Sequence, residues 1–157
     1  MQPIPVSVQV ARPREEVFAF LDVLANHERF TDHMLVDWSL SGPAAGVGSK
    51  ARMRAPLPGP KDWLELEVLE SEAPVRIVEE TVGAKGRRRT RGTYTLEETP
   101  DGGTLVRFEL AFVQVPAHER LLGPLLRGWL ARANAKAMAR LGEELASPPP
   151  VRLRPAA

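Results

Sequence analysis

The chain has 157 residues, of which 43% are hydrophobic and 26% charged; 21 basic and 20 acidic side chains give a formal net charge of +1. That length suits a single domain that buries a core without outside help, and the balanced charge excludes a nucleic-acid partner held by a large basic excess. Cysteine is absent, which excludes a disulfide framework, a thiol nucleophile and a zinc-thiolate site.

The opening residues Met1-Gln2-Pro3-Ile4-Pro5 lack the basic-then-apolar pattern of a secretion signal. No apolar run approaches the roughly 18 residues of a membrane span, so a cytoplasmic protein without integral membrane association is expected. Ile4, Val6, Val8 and Val10 alternate with Pro5, Ser7 and Gln9, the period of a strand buried on one face. Pro13 then suits the first turn of a helix, where Glu15 and Glu16 complement the dipole and Val17, Phe18, Phe20, Leu21 and Leu24 form the apolar face. Asn26 is expected to end it, with a second short helix carrying His27 to Phe30.

Met34 to Ser41 alternates again and stops at Gly42-Pro43, and a third strand is expected from Val47 to Ala55. Pro56 to Asp62 reads as a loop. Trp63 to Ser71 forms the fourth strand, with Leu64, Leu66 and Val68 opposite Glu65 and Glu67. Lys50, Arg52 and Arg54 on the third strand then meet these glutamates as an exposed cross-strand ladder. Val75 to Val82 is the fifth strand, Gly83 to Gly86 a turn, and Arg87 to Thr99 the sixth. Asp101-Gly102-Gly103 marks a hairpin into a seventh strand bearing Val106, Phe108, Leu110 and Phe112.

From Ala117 to Ala146 apolar residues recur at helical spacing: Leu122, Leu125, Leu126, Trp129, Ala133, Ala137, Leu141 and Leu145. Gly123-Pro124 marks a kink or the true start of this helix. After Ser147, Pro148-Pro149-Pro150 ends the helix, and residues 147–157 are expected to form an extended tail outside a single domain of residues 1–146. A long helix with one stripe to bury, after seven strands, predicts an α+β fold in which a curved antiparallel sheet receives the helix. Such a sheet wrapped on one helix can leave a cavity between them.

This order resembles the helix-grip (Bet v 1-like) fold of the START-like (SRPBCC) superfamily, which includes birch-pollen-allergen-like proteins and polyketide cyclases. The resemblance is carried by the run Pro13-Arg14-Glu15-Glu16-Val17-Phe18-Ala19-Phe20-Leu21 after the first strand. Asn26 to Asp32 stands in the place of a second helix, and Gly46-Val47-Gly48-Ser49 enters the third strand. It implies a cavity between sheet and long helix that holds a small hydrophobic or amphipathic molecule, and some such proteins are enzymes. It carries over no catalytic residue.

Trp38, Met53, Leu66, Val68, Tyr94, Phe108, Leu110, Trp129 and Met138 are the candidates for lining that cavity. Glu79 and Glu80 are consecutive on a strand, so one of them points to the cavity face. A carboxyl there is desolvated, its pKa rises, and it suits proton transfer or the orientation of a ligand hydroxyl. Tyr94 offers a hydroxyl from the same wall, or simply fills core. Arg87, Arg89 and Arg91, with Lys85 and Arg88 beside them, either bind an anionic head group or form a solvated hairpin balanced by Glu79 and Glu80.

Gly46-Val47-Gly48-Ser49 opens a strand rather than a helix, which argues against a dinucleotide site. The spacing of His27 and His33 matches no familiar ligand set, so His27, His33 and His118 are expected at the surface or at helix ends, with no metal and no cofactor. The reading that follows is a binding protein for a small apolar or amphipathic ligand. Its alternatives are a cyclase- or dehydratase-type enzyme using Glu79, Glu80 or Tyr94, and a protein-interaction module with an exposed apolar patch over a sealed interior.

Overall fold

A computed structural model describes residues 1–57, 59 and 61–146; the proline-rich tail expected over 147–157 lies outside the described residues. The strands are β1 (Ile4–Val10), β2 (Val36–Ser41), β3 (Lys50–Arg54), β4 (Trp63–Glu72), β5 (Arg76–Gly83), β6 (Arg88–Glu98) and β7 (Thr104–Gln114). They form one antiparallel sheet in the order β1-β7-β6-β5-β4-β3-β2. Helices α1 (Arg14–Leu21) and α2 (Glu28–Thr31) follow β1, joined by a 3-10 turn over Leu24–Asn26, and α3 (Ala117–Leu121) and α4 (Gly123–Ala146) follow β7. This is the α+β helix-grip architecture that the order of elements predicts.

Long hairpins hold the centre of the sheet. β6 and β7 pair from Arg89 with Gln114 to Glu98 with Thr104, around the turn at Asp101-Gly102-Gly103, where Gly102 has a φ of +83° that favours glycine. On the outer face the expected β3–β4 ladder is only partly made. Lys50 pairs with Glu67 at 3.8 Å, but Arg52 stacks over the Trp63 ring at 4.3 Å and Arg54 bonds Asp37. Trp63, not a third glutamate, stands opposite Arg54 in the register, so the charge alternation runs out at the end of the strand.

The long helix begins at Gly123 rather than Ala117, because Leu122 leaves helical geometry and Pro124 then occupies the first turn of α4. Its buried stripe also differs from the predicted one. Ala133, Ala137, Leu141 and Leu145 are buried as expected, but Leu122 and Leu125 are exposed, Leu125 to 75%, and Leu121 is exposed to 86%. The physical reason lies in where α4 meets the sheet. Its backbone approaches β1 and α2, and Gly142 permits this, since a Cβ there would lie 3.0 Å from Cγ2 of Val8. Toward its C-terminal end α4 joins Val10, Val17, Leu21, Leu96 and Val106 in a filled core. Its N-terminal half has no such layer beneath it.

Candidate functional site

Between α4 and the inner faces of β3 to β7 lies a cavity of about 390 Å³, within the range of small-molecule sites. Trp38, Met53, Leu66, Tyr94, Phe108, Leu110, Trp129 and Met138 all line it. Val68 does not. It is buried in the filled core, opposite Glu79 across the β4–β5 pair. The lining includes the exposed Leu57 and Trp129, so the hollow opens to solvent at the end of the sheet where β3 and β5 finish and β4 and β6 begin.

Strand alternation decides between the two candidate glutamates. Glu79, Thr81 and Gly83 line the cavity, whereas Glu80 lies on the outer face, bonded to Arg89 at 2.6 Å and to Arg91 at 3.5 Å. The arginine cluster is therefore split. Arg89 and Arg91 form a solvated pairing with Glu80 alone, not with both glutamates. Arg87 lies in the turn, where it donates to the Ala84 carbonyl at 3.2 Å.

Arg88 takes the opposite face, lines the cavity opening and bonds Asp62 at 2.7 Å and the Glu119 carboxylate. These bonds raise its pKa further, against partial burial. They tie β6 to the β3–β4 loop and to α3. Replacing Arg88 by Met is expected to destabilise the fold by about 1 to 3 kcal/mol, because Asp62 and Glu119 lose the guanidinium they share; urea unfolding measures it.

Deeper in, His27, Glu79, Tyr94 and Phe108 form one contiguous group. The His27 and Tyr94 rings meet edge-on with centroids 5.9 Å apart, and Tyr94 and Phe108 lie 4.7 Å apart. His27 does sit at a helix end, preceding α2, but it is only 2% exposed, contrary to a surface position. His33 is half-buried against α4 through the Ala133 carbonyl at 3.0 Å, and His118 is exposed.

Nε2 of His27 lies 2.7 Å from the Leu21 carbonyl oxygen. A carbonyl only accepts, so this nitrogen carries the proton and Nδ1 is the acceptor. Burial pushes the His27 pKa down to about 4, outweighing the Leu21 bond and the nearby Asp22 charge. Burial likewise pushes Glu79 up to about 8. The two stand 3.9 Å apart, within ion-pair range, yet both are uncharged near neutral pH because neither can ionise cheaply without water. Burial, followed by the Glu79 charge when it forms, raises the Tyr94 pKa. Oε2 of Glu79 and Nδ2 of Asn134 are buried without a hydrogen-bond partner.

Gly92 keeps this group open. It sits between Glu79 and Leu110 in the sheet, and a Cβ there would come within 2.8 Å of Cε2 of Phe108 and 3.0 Å of Oε1 of Glu79. Gly92→Ala is expected to cost about 1 to 3 kcal/mol by overpacking and to weaken binding of any cavity ligand, as Phe108 is driven inward. Thermal unfolding and a ligand titration check the two effects.

His27, Asn134 and Arg88 join the site without having been expected there. For Asn134 a signal existed: it falls on the stripe of α4 that turns inward, with Leu126, Leu130, Met138, Leu141 and Leu145. A polar residue on an apolar stripe marks a place where the stripe faces something other than core.

Curved sheet, gripping helix and the polar-tipped hollow between them together define a helix-grip domain. The chain belongs to the polyketide cyclase / dehydrase and lipid transport family, whose model matches residues 1–146. Among solved structures it is similar to the protein TTHA0849 from Thermus thermophilus, with a TM-score of 0.69 and 17% identity over 92% of this chain and 97% of that one. A START superfamily protein from Mycobacterium smegmatis gives 0.68 and 10% identity over 91% and 96%. A conserved protein from Geobacillus kaustophilus gives 0.73 and 15% over 92% and 95%. At these identities the likeness is one of fold. No curated protein matches the chain. Among the described residues, no helix is long and apolar enough to cross a membrane.

Proposed function

We propose that this protein binds a small, mainly apolar molecule inside the cavity between the sheet and α4. The observation that carries this reading is an interior left unfilled. Met53, Leu66, Phe108 and Met138 surround open space, although protein interiors ordinarily pack to crystal density. Filling the space with side chains adds apolar burial at about 25 cal/mol per Å², so a hollow of this size forgoes stability that a ligand restores on binding. The exposed Leu121, Leu122 and Leu125 stand on the end of α3, the residue joining the helices and the first turn of α4. An interaction module is disfavoured because the interior of this domain is hollow rather than sealed.

Titration with N-phenylnaphthylamine, an uncharged fluorophore that brightens in apolar surroundings, tests this reading. One saturable site per chain supports it; fluorescence that rises without saturation, or not at all, overturns it.

A second reading, proton-transfer catalysis on an enolisable ligand, is favoured by one observation. An uncharged carboxyl and an uncharged imidazole, an acid and a base, share the same cavity wall within 3.9 Å. Solvent-deuterium exchange into a bound ketone, lost in Glu79→Gln, distinguishes catalysis from binding alone.

A further inference from the structure

We propose that Glu79 and His27 form a receptor for one uncharged hydroxyl group, that of an alcohol, enol or phenol, and that the cavity turns carboxylates away. The inference rests on the cavity-binding reading and adds the class of ligand.

The hydrogen-bonding inventory carries it. Nδ1 of His27 is an acceptor, because Nε2 is committed to the Leu21 carbonyl. Oε2 of Glu79 is buried without a partner, and the carboxyl offers one donor and one acceptor when protonated. The two atoms are 3.9 Å apart, too far to satisfy each other. Both residues line the cavity. A hydroxyl placed between them accepts from the carboxyl and donates to the imidazole at once. An ether or ketone only accepts and leaves Nδ1 unpaired. A carboxylate does the same and adds a charge to an apolar hollow, where an unpaired ion is costly.

Among the described residues that line the cavity, the one cation, Arg88, stands at the opening. Across β4 Glu79 faces Val68, and across β6 it faces Gly92. The other titratable groups of the lining are Tyr94, His27, and Asp62 with Arg88 at the opening, where Arg88 is held by Asp62 and Glu119. From α4 comes Asn134, buried, uncharged and with Nδ2 unpartnered, a further donor for oxygen. The shifts of Glu79 to about 8 and of His27 to about 4 agree with a pair that stays neutral between those limits.

Competition against N-phenylnaphthylamine bound to the full chain, near pH ~6.5 where both groups are uncharged, tests the proposal. Decanol, its methyl ether and decanoate have similar chains and differ in the oxygen group. Decanol is expected to displace the probe about tenfold better than the ether, as one buried hydrogen bond gained warrants, and decanoate is expected to compete worst. Glu79→Gln keeps the preference, since an amide also donates and accepts; His27→Phe, which removes the Nδ1 acceptor that an ether cannot satisfy, abolishes it while still binding the probe. Equal competition by decanol and decanoate, or a decanol preference that survives in His27→Phe, overturns the proposal and leaves the cavity reading standing. Failure of the probe to enter the wild-type protein removes both.

Discussion

Replacing Glu79 by Gln is expected to make the protein more stable at mildly alkaline pH, by about 2 to 4 kcal/mol, although the substitution removes a polar group of the site. The Glu79 carboxyl moves from an ordinary pKa of 4.5 to about 8 in the folded protein. Because the folded value is raised, the native state keeps a proton that the unfolded chain releases. The stability this contributes is full below 4.5 and is lost as the pH climbs to 8. His27 behaves oppositely. Its value falls from 6.5 to about 4, so its contribution is full above 6.5 and lost as the pH descends to 4.

Between 4.5 and 6.5 the two slopes oppose, and stability is nearly flat; between 6.5 and 8 the loss from Glu79 stands alone. A shift of 3.5, the difference between 8 and 4.5, corresponds to about 5 kcal/mol as an upper limit. Water drawn into the open cavity lowers it to the range given. Urea unfolding across this window is expected to show a falling wild-type curve and a level one for Glu79→Gln. At roughly 2 to 4 °C per kcal/mol for a chain of this size, the gap is large enough for thermal unfolding as well. Parallel curves contradict the assignment of Glu79 as a buried, unpaired acid.

Ala137→Phe is expected to cut probe binding by at least about tenfold without loss of fold. Ala137 is buried on α4 and lines the cavity, so a ring added there enters the hollow instead of the filled core near Leu141 and Leu145. Most large-for-small changes inside proteins strain a packed interior and cost about 1 to 3 kcal/mol. Here the space already exists, and the added apolar contact offsets the side-chain entropy lost on burial. Equilibrium unfolding is expected to place the variant level with the wild type or above it. A destabilised variant that binds the probe normally contradicts the position of the hollow.

The architecture was legible because it is written in periodicity. The two-residue alternation of β1, β4 and β7 and the apolar recurrence of α4 are consequences of burying one face, and that repeat survives in the sequence whatever the ligand. Eight of the nine predicted lining residues border the cavity. Val68 is the exception. It shares a strand face with Leu66 and stands level with the cavity-lining Glu79, yet does not border the open space; a strand pattern gives the face of a residue without what covers it.

The same limit explains α4. Leu125 and Trp129 satisfy helical spacing as well as Leu141 does, yet only the second half of the helix, through Ala137, Met138, Leu141 and Leu145, joins the buried core. His27 escaped because a short helical segment has too few turns for a stripe to declare itself. Its burial is created by distant parts of the chain: Tyr94 from β6 and Glu79 from β5. The choice between Glu79 and Glu80 needed the register of β5, which alternation narrows to two answers and only the sheet resolves.

Nuclear magnetic resonance of the isotope-labelled chain titrated with decanol tests most directly whether the open space receives a guest. Saturable shifts are expected at the buried Met53, Leu66, Phe108 and Met138, which lie on three strands and α4 and are brought together around the hollow. Shifts confined to the exposed Leu121, Leu122 and Leu125, with the interior signals unmoved, contradict that expectation.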